Sequence, residues 1–343
     1  MLKTSRLSQW PQKTWKSIAI SFCGLFALSA ALRGLWPKIV MGQQNASQAP
    51  HTLKVQTEVV NVYAVVRDKK GRLIPDLNKD DFALTEDGTP QTIRYFSRSA
   101  DTPLDLGMMV DTSPSQQRVL QVEQDQAKVF LNHVLQPKDL AFVLHFDVEV
   151  ELLQDFTASL KRLSQAIDDT QINGGGAGPL PGTFPGANSG ATHLYDAVYL
   201  ASHDLMMNEV GRKVLILLTD GQDQGSKIRM QDSLDMAQKA DAIIYAVDIV
   251  DRGFYGPLNM SFHGDEVLRK YSSETGGQVI KVNRASDTGS AFEEIANQLR
   301  TQYLLGYTPS NKANDGGFRR IRVTVNGGNY KIQARRGYFA PVS

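Results

Sequence analysis

From residue 103 onward, apolar runs alternate with helix-patterned segments, and this alternation constrains the fold more than any other feature of the chain. Runs such as LAFVLHF (140–146) and KVLILLT (213–219) lack the polar–apolar alternation of half-exposed strands. Continuous apolar strands separated by amphipathic helices are typical of a parallel sheet that helices cover on both faces. We therefore predict an α/β domain with a doubly wound, mostly parallel sheet over residues 102–302.

The predicted elements of this domain follow one another at short intervals. Strands are expected at 104–110, 140–146, 149–153, 213–219, 242–249 and 278–282. Helices are expected at 116–135, 159–169, 192–208, 229–240, 266–275 and 290–303. A glycine- and proline-rich stretch at 173–191 interrupts the pattern. A loop of this length is either functional or an unstructured decoration, and both interpretations stay open.

The segments on either side of the α/β domain are rich in β pattern. Residues 52–101 contain alternating apolar and polar positions and the dipeptide Asp87-Gly88, which suits a tight hairpin turn. Residues 303–343 return to the same pattern. Because each segment is too short to be stable alone, we predict that the two pair into one small β-sandwich, into which the α/β domain is inserted.

The N-terminus resembles an export signal. Its basic residues are Lys3, Arg6, Lys13 and Lys16. They precede an apolar run at 17–32, which is shorter than the roughly 20 residues of a membrane-spanning helix. We predict a cleaved signal peptide or an uncleaved signal anchor at 1–42, followed by a linker at 43–51. Either alternative makes this an exported protein that is periplasmic, on the cell surface or secreted, with membrane contact only through an uncleaved anchor.

Composition excludes several classes of function. The formal net charge is +1, so no long-range field attracts nucleic acid, and no basic run is interleaved with aromatics. The single cysteine, Cys23, lies inside the apolar run of the signal. The folded part therefore has no disulfide, no thiolate metal site and no cysteine nucleophile.

Three groups of polar residues are expected at the edge where such sheets bind ligands. Asp111, Ser113 and Ser115 come directly after the first strand of the domain, Thr192 precedes a helix, and Asp220 follows the strand at 213–219. In open α/β sheets, ligands bind beyond the carboxyl ends of the strands. Each feature alone is compatible with a helix cap or a turn. Together, two carboxylates and three hydroxyls are expected to converge on one edge of one sheet.

An oxygen-only set of this kind suits a hard cation. We expect Mg²⁺, with Mn²⁺ and Ca²⁺ as alternatives. Three of the five groups are neutral, so the two carboxylates only balance the charge of a divalent ion. A carboxylate supplied from outside is then the best remaining ligand, and such a site binds an acidic partner more readily than it drives a reaction.

The pattern Asp111-x-Ser113-x-Ser115, with Thr192 and Asp220, resembles the metal-ion-dependent adhesion site (MIDAS) of von Willebrand factor type A (VWFA) domains. The resemblance implies that the three hydroxyls ligate the metal directly in the ligand-bound form. It further implies that the two aspartates act mainly through water and that a Glu or Asp of a protein or matrix partner completes the shell.

The flanks also resemble a known family, the bacterial exported VWFA-related proteins first typified in acidobacteria. The stretches that carry this resemblance are DKKGRLIPDLNKDDFALTEDGTPQTIRYF, QYLLGYTP and ARRGYFAP. They support the assignment but imply little about function.

Residues beside the five candidate ligands are expected to form the rim that a partner contacts. These are Pro114, His193, Gly221 and Gln222. The loop at 173–191 leads straight into Thr192 and is expected to border the metal face. Asp248 and Asp251 follow the apolar run AIIYAV (242–247). A place near the same edge stays open for them, but a solvated loop is the interpretation that we favour.

Enzymatic alternatives lack their residues. A phosphotransferase of the haloacid dehalogenase type needs a second acid where Ser113 stands. No Gly-x-Ser-x-Gly elbow, P-loop or His-Glu-x-x-His motif is present. We therefore predict that the protein is not an enzyme but an exported, metal-dependent adhesion module. The alternative is a structural subunit of a cell-envelope assembly whose metal site plays no part in recognition.

Overall fold

A computed structural model describes residues 59–98, 102–172, 192–249 and 264–342. The predicted signal at 1–42, the linker at 43–51, the loop at 173–191 and Asp251 lie outside the described residues. Within the described ranges, no helix is both long enough and apolar enough to cross a membrane.

The described chain contains strands in two flanking groups around a central α/β region. The strands are β1 (Val60–Arg67), β2 (Phe82–Glu86), β3 (Thr89–Gln91), β4 (Ile93–Arg98), β5 (Leu104–Asp111), β6 (Leu140–Phe146), β7 (Val150–Thr157), β8 (Arg212–Thr219), β9 (Ile243–Ile249), β10 (Val279–Val282), β11 (Tyr303–Tyr307), β12 (Phe318–Val325), β13 (Lys331–Ala334) and β14 (Gly337–Phe339). The α-helices are α1 (Leu120–Val134), α2 (Leu160–Asp168), α3 (Leu194–Leu200), α4 (Met230–Lys239), α5 (Gly264–Thr275) and α6 (Thr288–Thr301).

The central sheet has the order β10-β9-β8-β5-β6-β7. Its strands run parallel except for the pair β6 and β7, which is antiparallel. β6 and β7 are joined by only three residues, 147–149, which is far too short for the crossover that a parallel pair requires. The predicted doubly wound, mostly parallel α/β sheet is therefore confirmed.

Helices cover both faces of this sheet and create two cores. Leu106, Met108 and Val110 of β5 pack in one cluster with residues of α1, α2 and α6. Met109, on the opposite face of the same strand, packs in the other cluster with residues of α3, α4 and α5. Because successive side chains of a strand point to opposite faces, a strand between two helix layers is apolar throughout, as the sequence of β5 is.

Two of the helices differ clearly from the sequence-based prediction. The first helix begins at Leu120 rather than at residue 116, because Pro114–Gln116 forms a separate 3-10 turn before it. The helix expected at 192–208 ends its α-helical part at Leu200 and continues as a π-helix, Ala201–Met206. Turns of 3-10 geometry are frequent at helix ends, and a proline in the first turn loses no hydrogen bond there.

The flanking strands form two antiparallel sheets that share one core. Their orders are β13-β1-β11-β4 and β14-β12-β2-β3, so each sheet contains strands from both ends of the described chain. Phe82, Tyr303 and Ile321 lie in the core between them. The predicted sandwich of N- and C-terminal strands is therefore confirmed, while the domain limits at 52–101 and 303–343 stay a prediction.

One hairpin turn and one buried acid characterise this sandwich. Asp87 and Gly88 both have positive φ, 47° and 83°, as the predicted tight hairpin between β2 and β3 requires. Glu86 is buried beside them. The hydroxyls of Tyr307 and Tyr338 both donate to its Oε2, at 2.6 Å and 3.0 Å. The sandwich thus satisfies its buried carboxylate with its own hydrogen-bond donors.

Candidate functional site

Two neighbouring parallel strands bring the predicted aspartates to the same edge of the central sheet. β5 ends at Asp111, and Asp220 directly follows the end of β8, which pairs with β5. Both aspartates are fully buried. The hydroxyl of Thr219 donates to Oδ2 of Asp111 over 2.5 Å and ties the two strand ends together.

The two serines after β5 direct their hydroxyls at each other. Oδ1 of Asp111 accepts the backbone N–H of Ser113 at 2.9 Å, which folds the loop back on itself. The Oγ atoms of Ser113 and Ser115 are 3.0 Å apart. Ser113 precedes the 3-10 turn but makes no side-chain capping bond. Helix capping therefore does not account for the two hydroxyls.

Thr192 lies just before α3, between the loops that follow β6 and β8. It is buried, and its carbonyl accepts the backbone N–H of Gln224 from the loop after β8. The next residue, His193, is the N-cap of α3, so Thr192 does not cap that helix. The backbone N–H of His193 donates to the carbonyl of Asp147, which follows β6. The loops after β6 and β8 thus hold the segment of Thr192.

The loop that follows Asp220 contains a tight turn, and this turn requires glycine at position 221. Oδ1 of Asp220 accepts the backbone N–H of Gln222 at 3.1 Å. Gly221 has a φ of 78°, and a Cβ there would lie 2.5 Å from the carbonyl oxygen of Gly264. A non-glycine residue is excluded by conformation and by space. Asp220 therefore shapes a turn and also presents a carboxylate at the strand ends.

The four expected rim residues differ in their exposure to solvent. Pro114, His193 and Gln222 are half-buried at the surface of this edge, whereas Gly221 is buried. A partner that approaches the edge would therefore meet the first three side chains. Gly221 contributes the shape of its loop.

A third strand end supports the site, which the sequence did not indicate. The hydroxyl of Thr112 donates to Oδ2 of Asp147 at 2.7 Å, and its distance to Nδ1 of His145 is 3.1 Å. These bonds join the loop after β5 to the end of β6 and to the loop that follows it. They fix the backbone that carries Ser113.

The expectation for Asp248 was wrong. It lies within β9 rather than in a solvated loop, and only 3% of its surface is exposed. Its Oδ1 has no hydrogen-bond partner among the described residues. Burial, reinforced by the negative charge of Asp265, raises the pKa of Asp248 to about 7. The strand continues through Asp248 to Ile249, as predicted at 242–249, and the layers that cover the sheet bury this side chain.

Glu123 is a buried acid at this edge that the sequence reading missed. It lies in the first turn of α1 with 0% of its surface exposed. Neither of its carboxylate oxygens has a hydrogen-bond partner in the described part of the chain. Burial, followed by the negative charges of Asp111 and Asp220, holds the pKa of Glu123 well above its ordinary range. The available signal was its place on the apolar stripe of α1, with Leu120 and Ala127.

The donor set fits a hard divalent cation. Burial, and then the charge of Asp220, raises the pKa of Asp111, so a nearby positive charge would stabilise both carboxylates. Among the described residues, no three His, Cys, Asp or Glu side chains lie together as metal ligands do. An ion at this edge would therefore need the hydroxyls of Ser113, Ser115 and Thr192 as well as the two aspartates. Such oxygen donors suit Mg²⁺, Mn²⁺ or Ca²⁺.

Comparison with known proteins gives likenesses of fold only. No protein-family model and no curated protein matches the chain. Proximal thread matrix protein 1 from the mussel byssus, solved with a zinc-occupied MIDAS motif, is 16% identical with a TM-score of 0.47. The match covers 63% of this chain and 50% of the mussel protein, so this chain spans about half the length of that relative.

Two bacterial structures resemble the chain to a similar degree. The von Willebrand factor type A protein from Catenulispora acidiphila is 10% identical with a TM-score of 0.47, and the match covers 76% of this chain and 73% of that one. The vWF domain of the type V pili tip protein Mfa5 from Porphyromonas gingivalis is 12% identical with a TM-score of 0.42. That match covers 57% of this chain and 94% of the Mfa5 domain.

The chain's own features agree with the fold that was expected from its sequence. The central sheet has a single antiparallel edge strand, β7, and helices cover both faces of the sheet. The Asp-x-Ser-x-Ser motif lies at the carboxyl end of the inner strand β5. This sheet and the position of this motif are what the sequence resemblance to von Willebrand factor type A domains implies.

Proposed function

We propose that the α/β domain binds a divalent cation through Asp111, Ser113, Ser115, Thr192 and Asp220, and that the bound cation captures a Glu or Asp side chain of a partner. The partner is a protein or matrix component outside the cell, and the chain is exported to meet it. We propose Mg²⁺ as the ion, with Mn²⁺ or Ca²⁺ as substitutes.

One observation carries this proposal. The hydroxyls of Ser113 and Ser115 lie 3.0 Å apart beside the buried carboxylate of Asp111, and capping of the following 3-10 turn does not use them. Two hydroxyls that face each other next to a buried acid form an incomplete oxygen cage. A hard cation is the ligand that such a cage prefers.

Each residue has a role in this proposal. The hydroxyls of Ser113, Ser115 and Thr192 contact the ion, and the two aspartates supply its balancing charge. The bound cation would keep an open coordination position, which a carboxylate of the partner can occupy. Pro114, His193 and Gln222 form the surface around that position and select the partner. The mussel protein was solved with a zinc-occupied MIDAS motif, and the Mfa5 domain belongs to a pili tip protein. Both descriptions are consistent with a role in adhesion.

A binding role fits this edge better than catalysis does. Ser113 occupies the position where a phosphotransferase of the haloacid dehalogenase type requires its general acid. The hydrogen bonds of Asp111 go to the backbone of Ser113 and the hydroxyl of Thr219, which fixes its orientation. We therefore propose that the protein is not an enzyme. The second candidate, a structural subunit of an envelope assembly, would use the β-sandwich for contacts and leave the cation edge without a partner.

Calorimetric titration of the purified chain with Mg²⁺ and Mn²⁺ tests the cation site. We expect binding by the wild-type chain and its loss in Asp111→Ala and in the double variant Ser113→Ala, Ser115→Ala. Asp105→Ala is the matched control, because Asp105 is also buried and lies near the opposite end of the same strand. We expect it to retain binding. No binding by the wild type at millimolar metal would refute the proposal.

Recovery of partners from an envelope extract tests the role of the ion. We expect a partner that the wild-type chain retains in Mg²⁺ and releases when a chelator is added, and that Asp111→Ala does not retain. A partner that stays bound in the chelator, to both the wild type and Asp111→Ala, would instead support the structural-subunit role.

A further inference from the structure

We propose that Glu123 is a third carboxylate of the cation site, acting from α1 behind the loop of Asp111 and strengthening the binding of the ion. This inference rests on the proposed cation site and adds to it a residue outside the Asp-x-Ser-x-Ser pattern. Glu123 orients the groups that hold the ion and adds negative charge to the site. It does not contact the partner.

The position of Glu123 connects it with the two aspartates. It lies in the first turn of α1, which follows the serine loop directly. The two charges that act on it most are those of Asp111 and Asp220. It therefore lies within electrostatic reach of both strand ends while it belongs to neither. Its carboxylate is buried completely, so solvent does not screen these charges.

Local structure does not satisfy this carboxylate. Both of its oxygens lack a hydrogen-bond partner among the described residues. The positive end of α1 offsets part of the cost of a negative charge in the first turn, but no backbone N–H there donates to Glu123. A buried carboxylate without donors is expensive to maintain. Burial raises the pKa of Glu123, so the group holds a proton unless a positive charge or hydrogen-bond donors lie nearby.

A neighbouring group shows the same deficit. Oε1 of Gln116 is buried without a hydrogen-bond partner in the described chain, while its Nε2 donates to Oγ of Ser115. All three unsatisfied oxygens here, on Gln116 and Glu123, are acceptors. Water molecules of a hydrated cation are strong donors and would satisfy acceptors of this kind. Because Gln116 already contacts Ser115, its oxygen is the one nearest to the proposed ion.

Glu123 acts through the ion's water rather than as a direct ligand. It does not form a three-carboxylate ligand group with Asp111 and Asp220, since no such group occurs in the described residues. Carboxylates behind the first ring of ligands orient that ring and raise the affinity for the metal. A third negative charge also gives the site an excess of charge over a divalent ion. The ion would therefore stay bound when no partner is present.

Titration of the full chain with Mg²⁺ and with Mn²⁺, in the wild type and in Glu123→Gln, tests this inference. We expect Glu123→Gln to weaken the binding of either ion by about 10- to 100-fold. Asp125→Asn removes the same charge from an exposed position on the same helix, and we expect its affinity to stay within about twofold of the wild type because solvent screens that charge.

Thermal melting gives a second readout, which a purely structural role would not produce. In a chelator, Glu123→Met should melt at a higher temperature than the wild type, because an apolar side chain replaces a buried polar group that has no hydrogen-bond partner among the described residues. The increase in melting temperature on addition of Mg²⁺ should be smaller in this variant than in the wild type. A higher melting temperature in chelator together with a smaller response to Mg²⁺ identifies a residue that serves the ion. Glu123→Met also replaces Glu123→Gln in the titration if the amide variant does not fold.

The outcomes separate this inference from the proposed function. Equal Mg²⁺ affinity of the wild type and Glu123→Gln, with binding lost in Asp111→Ala, would overturn the role of Glu123 and leave the cation site intact. A wild-type chain that binds neither ion would overturn both. Reduced affinity in Glu123→Gln, together with a higher melting temperature of Glu123→Met in chelator, would establish the role of Glu123.

Discussion

The two halves of the molecule each bury a glutamate, and they treat it in opposite ways. In the sandwich, Glu86 receives hydrogen bonds from the hydroxyls of Tyr307 and Tyr338. At the strand ends of the central sheet, Glu123 receives none from the described residues and faces the charges of Asp111 and Asp220. Burial alone therefore does not distinguish a structural acid from a functional one. The partners of the acid do.

The two buried glutamates also differ in their effect on the free energy of unfolding. The sandwich supplies its own donors, so Glu86 contributes to the stability of the fold. The α/β domain leaves the buried acceptors of Gln116 and Glu123 without donors among the described residues, and an unsatisfied buried acceptor lowers stability. A site that binds a cation is expected to be less stable without it, since any ligand that binds only the folded state stabilises that state.

The largest expected effect comes from breaking the satisfied acid. Glu86→Leu removes the acceptor of two buried tyrosine hydroxyls, and each orphaned donor carries a desolvation cost. We expect the free energy of unfolding to fall by about 2–5 kcal/mol, measured by urea denaturation. Tyr338→Phe, which removes one donor and leaves the other in place, should cost less. A Glu86→Leu chain as stable as the wild type would remove the basis of the comparison.

An intermediate effect of opposite sign is expected at the unsatisfied acid. Glu123→Met replaces a buried, unpaired carboxylate with an apolar side chain of similar length. In a chelator, we expect the free energy of unfolding to rise by about 1–3 kcal/mol, because burial of a polar group without a hydrogen-bond partner costs roughly this much. Urea denaturation with and without Mg²⁺ measures the change. A loss of stability in both conditions would make Glu123 an ordinary structural residue like Glu86.

The smallest effect is expected at an exposed acid. Asp125 forms an ion pair with Lys128 one turn along α1, and 56% of its side chain is exposed. Exposed pairs contribute little, because water and salt screen them. We expect Asp125→Asn to leave the urea midpoint unchanged within measurement error, with or without Mg²⁺. A clear shift would mean that charge anywhere on α1 matters, and it would weaken the specific role of Glu123.

Much of the fold could be predicted because its signals are local. Apolar runs without alternation indicated the parallel sheet, and Asp87-Gly88 indicated the hairpin between β2 and β3. The five polar residues at the strand ends could be grouped because parallel strands end at a common edge. The start of α1 was misplaced by a few residues, since Pro114 is compatible with either a 3-10 turn or an α-helical first turn.

The sequence by itself determined the class of fold, the Asp-x-Ser-x-Ser motif and the oxygen chemistry of the candidate site. Only the tertiary structure decided which polar groups are satisfied. Glu123 is a favourable helix residue in the sequence, and Asp248 follows an apolar run as many turn residues do. Their burial depends on which elements cover them, and any group that could pair with them would come from a position far away in the chain. Hydrogen bonding and electrostatic interaction act through space, so no local pattern encodes whether a buried acid has a donor.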